Sequence, residues 1–301
     1  MISALEVLAG PFHDIAEGPV WDGNGLYFTL VKQSRIMRYD PSSKECLEIA
    51  TGTRRTNGLA QALDGRLFGC CAEGRAIVQI DGDRTTHVAD RFEGKPLNTP
   101  NDLVVDRHGR IWFTNPWNPP LAPERQSPEV PQEVYRADRG ENVRWEVLRC
   151  TFDMTKPNGI LLSRDETVLY VAQSDFAEDR PRELRAYPVV DGSLGQYVTL
   201  HTFGIDSRGV QRGIDGMRLD AEGNIVATAG WPKSGPGSLI YVFSPTGRVL
   251  ATREVPTEEG PSNCAFGGQD LRTLYVTTVD GYLLSARTEI PGWPTGVLGK
   301  H

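Results

Sequence analysis

The chain has 301 residues, of which 39% are hydrophobic and 24% charged, and its formal net charge is −7. This composition predicts a folded globular protein and excludes a disordered or fibrous one. The acidic balance provides no basic surface for nucleic acid or anionic lipid, so neither is expected as a partner.

The first residues of the chain and its cysteines indicate the cellular location to expect. Met1–Glu6 lacks the basic and apolar segments of a secretory signal, and no apolar run approaches the ~20 residues of a membrane span. The five cysteines follow no metal-binding spacing and are expected to be reduced thiols. A cytoplasmic protein without a membrane partner is therefore predicted, and its oligomeric state is left open.

One pattern recurs six times along the chain. Each copy has an amide or carboxylate residue, a small or polar residue, an apolar stretch, a glycine-rich turn and then a β-branched or aromatic stretch. The first residues of the copies are Glu17, Asn57, Asn101, Asn158, Asp215 and Asn263. The clearest copy runs from Asn101 through a turn at Gly109 to Thr114. Each copy predicts a β-hairpin.

Further strand-like segments follow each hairpin, for example Arg35–Asp40 and Ala76–Ile80. Four short strands in each repeat are typical of a β-propeller blade. The chain is therefore predicted to be all-β, a six-bladed β-propeller in a single domain over residues 1–301. The last blade is one strand short, and we expect the N-terminal run Ser3–Leu8 to complete it and close the ring.

The repeat also predicts a shared site. Equivalent positions of successive blades surround one axis, so the six first residues form a ring of side-chain oxygens. Glu17 and Asp215 would meet there without a counter-ion, and each would raise the pKa of the other. A bound cation is the expected compensation, and oxygen donors select a hard ion such as Ca²⁺, Mg²⁺ or Mn²⁺.

Four motifs in this order resemble those of a known family. They are Glu17-Gly18-Pro19-Val20-Trp21, Pro100-Asn101-Asp102, Lys156-Pro157-Asn158-Gly159 and Ile214-Asp215-Gly216. They are similar to the motifs of the gluconolactonase family, which includes regucalcin (senescence marker protein) and luciferin-regenerating enzyme. The resemblance extends from about residue 15 to 287. It implies a propeller with one divalent metal ion at the top of its channel and hydrolysis of sugar lactones.

The resemblance also implies roles for particular residues. Glu17, Asn158 and Asp215 match the metal ligands, with Ca²⁺ preferred and Mg²⁺, Mn²⁺ or Zn²⁺ as alternatives. Asn101 matches an asparagine that contacts substrate or, in diisopropyl fluorophosphatase-like propellers, the metal itself. Thr99 stands where regucalcin has a substrate-contacting arginine. We therefore expect a substrate contact without charge at this position, and substrates other than strongly anionic or sugar-acid lactones.

The return strands of the hairpins nominate further pocket residues. The second strand of each hairpin returns to the axis after 14 or 15 residues. It should place Asn115, then Trp117, beside Asn101, and Trp231 beside Asp215. These three are predicted to contact a small polar substrate. The long insertion Asn115–Gln132 matches the region where such enzymes build a lid.

Together these observations predict a metal-dependent lactonase acting on a small molecule. The ion would polarise the lactone carbonyl, while Asp215 accepts a proton from the attacking water. Asp215 as a ligand alone is the alternative at that position. An organophosphate hydrolase at the same metal site and a non-enzymatic metal-binding scaffold are the alternatives for the whole protein.

Overall fold

Short strands joined by tight turns form almost all of the regular structure. The computed structural model describes residues 1–119, 127–140 and 144–299. In these ranges there is no α-helix, and no helix is long and apolar enough to span a membrane. A short 3₁₀ helix, Gly296–Gly299, lies near the C-terminus. The all-β prediction is confirmed.

The strands form six blades, each a small antiparallel sheet, and in blades 1 to 5 the strands follow one another along the chain. The N-terminal strand is β1 (Glu6–Ala9). Blade 1 contains β2 (Ala16–Trp21), β3 (Leu26–Leu30), β4 (Arg35–Asp40) and β5 (Glu45–Thr51). Blade 2 contains β6 (Thr56–Gln61), β7 (Leu67–Cys71), β8 (Ala76–Asp81) and β9 (Arg84–Ala89), followed by a hairpin of β10 (Arg91–Phe92) and β11 (Lys95–Pro96). Blade 3 contains β12 (Leu103–Val105), β13 (Ile111–Thr114), β14 (Val134–Arg139) and β15 (Trp145–Arg149).

The second half of the chain repeats this order. Blade 4 contains β16 (Pro157–Leu162), β17 (Val168–Ser174), β18 (Arg182–Val190) and β20 (Val198–Thr202), and the short β19 (Ser193–Leu194) pairs antiparallel with the end of β18. A hairpin of β21 (Ile205–Asp206) and β22 (Gly209–Val210) follows. Blade 5 contains β23 (Ile214–Leu219), β24 (Ile225–Trp231), β25 (Ser234–Phe243) and β26 (Val249–Glu254). Blade 6 contains β27 (Pro261–Gly267), β28 (Thr273–Thr278) and β29 (Leu283–Arg287), and its fourth strand is β1.

The N-terminal strand closes the ring as predicted. Strand β1 pairs antiparallel with β29, with Glu6 opposite Ser285 and Val7 opposite Leu284. The paired strand is Glu6–Ala9 rather than Ser3–Leu8, and Ile2 forms a separate bridge farther along. One sheet thus contains both ends of the repeat array, which joins blade 6 to the start of the chain.

Apolar side chains fill the spaces between neighbouring blades. Among the described residues there are six buried clusters, one at each blade-to-blade interface. Between blades 3 and 4, for example, Trp112 and Val134 pack with Ile160 and Leu169. Because burial contributes about 25 cal/mol per Å² of apolar surface, these interfaces hold the blades in a fixed angular order.

The first strand of each blade lines the centre. Each of these inner strands contacts the inner strands of both neighbouring blades, in the cyclic order β2, β6, β12, β16, β23, β27 and back to β2. We call the end at which they begin the site end. The opposite end, where the C-terminal segment 291–299 lies, is called the closed end. The repeat residues therefore lie together at the site end.

Candidate active site

A strand irregularity recurs at the repeat motif. In five of the six inner hairpins the pairing register shifts across the motif, as between Glu17 and Val20 in blade 1 and between Ile214 and Met217 in blade 5. A register shift breaks the regular alternation of side chains and redirects a residue locally. The motif therefore gives equivalent positions in five blades the same local geometry.

Small residues beside the motif residues let neighbouring inner strands approach closely. A Cβ atom on Gly58 would lie 2.7 Å from the carbonyl oxygen of Asn101, and one on Gly159 would lie 2.2 Å from that of Asp215. The backbone N–H of Gly58 donates to the same oxygen of Asn101, at 2.8 Å. A larger side chain would push the blades apart, so the glycine of the motif sets the width of the ring.

The structure brings three of the predicted ring residues into one buried cluster. Asn263 Nδ2 donates to Glu17 Oε2 at 3.1 Å, across 246 positions of sequence. The guanidinium of Arg212 forms an ion pair with Asp215 Oδ2 and also attracts the charge of Glu17. Glu17 and Asp215, from blades 1 and 5, thus face the same cation.

Arg212 corrects one expectation. The prediction that the two carboxylates meet without a counter-ion is wrong, because Arg212, whose side chain is only 12% exposed, forms an ion pair with Asp215 and its charge also acts on Glu17. The sequence contained a signal for this ion pair, since an arginine three residues before a site carboxylate can contact it. Sequence reasoning passed over it because Arg212 lies outside the repeated register.

Burial dominates the electrostatics of Glu17. It raises the pKa of this carboxyl from 4.5 to about 7, and the charge of Asp102 adds to the shift. Hydrogen bonds from the Gly18 N–H, at 2.6 Å, and from Asn263, together with the charge of Arg212, act in the opposite direction. Burial likewise raises the pKa of Asp102. The site end therefore concentrates negative charge that the protein neutralises incompletely.

The four predicted ligands have oxygen atoms available for a cation. Within the described ranges no hydrogen bond is made by Glu17 Oε1, by Asp215 Oδ1, or by the side-chain amides of Asn101 and Asn158. No group of three or more His, Cys, Asp or Glu side chains suited to a metal occurs in those ranges, so two amide oxygens have to complete the set. Two carboxylates and two amides fit a hard divalent ion. Arg212 would then compete with it for the same carboxylates.

The predicted substrate contacts of blade 3 are mostly buried. Thr99 is fully buried, and its hydroxyl donates to the carbonyl of Pro116 at 2.7 Å and accepts from the N–H of Asn118 at 2.9 Å. The observed interactions of Thr99 hold this loop, and its contact with substrate remains a prediction. Asn115 Oδ1 accepts from a backbone N–H, while its buried Nδ2 has no partner in the described part of the chain.

The tryptophans differ in exposure. Trp117 is 9% exposed, and its backbone N–H donates to Gln132 Oε1. Of the proposed lid Asn115–Gln132, residues 120–126 lie outside the described residues. Trp231 is half-buried and stacks on the exposed Phe176, with 5.4 Å between the ring centroids. Trp231 therefore remains a candidate pocket residue, and sequence reasoning missed its partner Phe176.

Comparisons with known proteins show the family and agree with the fold. Residues 15–280 match the family described as "SMP-30/Gluconolactonase/LRE-like region". The chain is 29% identical to the gluconolactonase of Zymomonas mobilis, over 91% of this chain and 78% of that protein. It is 29% identical to the pentonolactonase XacC of Haloferax volcanii, over 89% and 82%. The solved structure of a gluconolactonase from Xanthomonas campestris is 28% identical and matches with a TM-score of 0.77, covering 96% of this chain and 90% of that one. The chain belongs to the SMP-30/gluconolactonase/LRE-like family.

Proposed function

We propose that the protein hydrolyses lactones with the help of one divalent metal ion at the site end of the channel. The observation that supports this most strongly is that Glu17 and Asp215, which are far apart in the sequence, both interact with the guanidinium of Arg212 at the site end. The lactonase relatives described above favour cyclic esters as the substrate class over the organophosphate and scaffold alternatives.

In this proposal Glu17, Asn101, Asn158 and Asp215 hold the metal, and Ca²⁺ is the preferred ion. When bound, such an ion polarises the lactone carbonyl and stabilises the oxyanion that develops on it. Two protein contacts hold Glu17 for this role, from the backbone N–H of Gly18 and from Asn263 Nδ2. Because both contacts are to Oε2, Oε1 is left for the ion.

Asp215 is proposed to act also as the general base. Arg212 holds its Oδ2, so Oδ1 would both contact the ion and accept a proton from water. The water oxygen then bonds to the carbonyl carbon, the ring C–O bond breaks, and the departing ring oxygen takes up the proton from Asp215. The product is an open-chain hydroxy acid, which releases one proton at neutral pH.

The experiment combines metal content with a lactone panel read by a pH indicator. For wild type we expect about one divalent ion per chain and turnover that is lost on chelation and restored by added Ca²⁺. Asn158→Ala should weaken metal binding, with partial rescue of turnover by excess metal. Asn57→Ala is the matched control, since Asn57 occupies the same register in blade 2 but is not a proposed ligand. Full activity after complete metal removal would exclude the metal-dependent mechanism.

A further inference from the structure

Lys156 is a half-buried cation at the site end that the proposed mechanism does not use. It precedes β16 by one residue and is two residues from Asn158. Its backbone N–H donates to Gln173 Oε1 at 3.3 Å, which anchors the main chain at this point. Within the described ranges its ammonium forms neither an ion pair nor a hydrogen bond.

An aromatic wall lies beside this ammonium. Lys156 Nζ is 5.4 Å from the ring centroid of Phe176. Phe176 stacks on Trp231 with an interplanar angle of 26°. The wall thus joins blades 4 and 5. It includes Trp231, which the hairpin register predicted to contact substrate. A charged group and an apolar face are presented together, as small polar ligands require.

The charged neighbours of Lys156 leave its charge poorly compensated. Its side chain is half-buried, and within the described ranges no carboxylate, including that of Asp175, lies within ion-pair distance of its ammonium. Arg212 is a second positive charge near it. A partly desolvated cation without a direct partner costs free energy unless a bound group provides the missing charge.

We propose that the Lys156 ammonium binds an anionic group of the substrate, so that the site prefers lactones with a carboxylate remote from the lactone carbonyl. This inference rests on the proposed lactonase function. It reverses the expectation drawn from Thr99, which considered one position of blade 3. The positive charge absent from that position is present on blade 4, and the hydroxyl of Thr99 is engaged by backbone groups.

The test uses two lactones that differ only at the remote carbon. D-glucono-1,4-lactone carries a hydroxymethyl group there, and D-glucaro-1,4-lactone carries a carboxylate. We expect wild type to show a kcat/KM about tenfold or more higher for the carboxylate lactone. Lys156→Gln should lower kcat/KM for the carboxylate lactone by roughly 10- to 100-fold, mainly by raising KM. It should change kcat/KM for the neutral lactone by less than about twofold. Lys156→Arg should retain the preference.

Lys233→Gln is the matched control. Lys233 Nζ lies 5.2 Å from the same Trp231 ring, but its charge is paired with Glu259 at 3.8 Å and its side chain is 62% exposed. This variant should leave both lactones unchanged. Equal kcat/KM for the two lactones in wild type, or equal losses for both in Lys156→Gln, would overturn the inference and leave the lactonase proposal standing.

Binding of the open-chain acids separates the two proposals further. By calorimetry, D-glucarate should bind wild type more tightly than D-gluconate, and Lys156→Gln should remove the difference. If wild type hydrolyses no lactone, the lactonase proposal fails, whereas this binding difference still decides whether Lys156 recognises the anionic group. Equal binding of the two acids by wild type contradicts the inference.

Discussion

The two ends of the central channel are built from the same six inner strands and differ in chemistry. The site end contains Glu17 and Asp215 facing Arg212. The closed end contains a cavity of about 410 Å³ between the apolar ends of the same strands and the C-terminal segment, with Leu162 and Trp293 in its lining. The carboxylate and amide residues of the repeat thus lie near the site end of the inner strands, and this placement locates the site.

The closed end is held by contacts from several blades. The N–H of Trp293 donates to the carbonyl of Leu219 in blade 5 at 2.9 Å, and Arg164 of blade 4 lies 4.3 Å over the Trp293 ring. Backbone contacts of this kind contribute to stability without placing a reactive group in the channel. Substitutions at the two ends should therefore affect different properties.

The largest effect is expected at Asp215. Asp215→Ala should lower lactone turnover by roughly 10³-fold or more, because it removes a metal ligand and the proposed base together. Glu222→Ala, in the exposed turn at the other end of the same hairpin, should leave turnover unchanged. Turnover and metal content of both variants are the measurement. Unchanged metal occupancy in Asp215→Ala would show that the metal site lies elsewhere.

The pH dependence of stability should also distinguish the two ends. In the metal-free protein the pKa of Glu17 is about 7 when folded and 4.5 when unfolded, so the folded state binds more protons between these values. The contribution of Glu17 to the free energy of unfolding is therefore full below pH 4.5 and lost as the pH rises through 7, a decrease of about 3 kcal/mol. Urea unfolding in a chelator at pH 5 and 7.5 measures this. Glu17→Gln should have a smaller decrease, and parallel behaviour of the two proteins would contradict the assignment.

Arg212 offers a way to raise metal affinity. Arg212→Met removes a buried cation that faces both carboxylates, so divalent ions should bind roughly tenfold more tightly. Calorimetric titration with Ca²⁺ is the measurement. Arg164→Met at the closed end is the control and should leave the affinity unchanged. Weaker binding in Arg212→Met would mean that this arginine supports the ligands rather than competing for them.

The smallest effect is expected at Trp293. Trp293→Ala should lower the free energy of unfolding by about 1 kcal/mol, since the ring is only partly buried and loses one cation–π contact. Lactone turnover should stay within about twofold of wild type. Thermal unfolding and turnover measured together test this, and a large loss of turnover at unchanged stability would show that the two ends are coupled.

Most of the fold could be predicted because a blade is a local unit. Alternating apolar residues and glycine turns define each hairpin, and the number of repeats gives the number of blades. The closure by β1 was also predictable, because blade 6 lacks a strand and Glu6–Ala9 has no other partner nearby. The ends of β1 were predicted less accurately. Pairing with Leu283–Arg287, and not the local sequence pattern, determines which residues join the sheet.

The site was predictable only where the repeat extends into it. Register alone placed Glu17, Asp215 and Asn263 at one end of the channel, and their contacts follow from that symmetry. The side chains of Arg212 and Lys156 come from segments before the inner strands that have no period, so their directions cannot be read from spacing.

The sequence by itself therefore determined the number of blades and the ring of oxygen-bearing residues, because both follow from a repeated local pattern. Only the tertiary structure decided that Arg212 pairs with Asp215 and acts on Glu17, and that Lys156 lies against the ring of Phe176. Arg212 acts on Asp215 within blade 5 and on Glu17 of blade 1, whereas Lys156 and Phe176 lie in the segments before and after the inner hairpin of blade 4. Charge compensation within the site thus depends on how these non-repeated segments fold and not on the repeat.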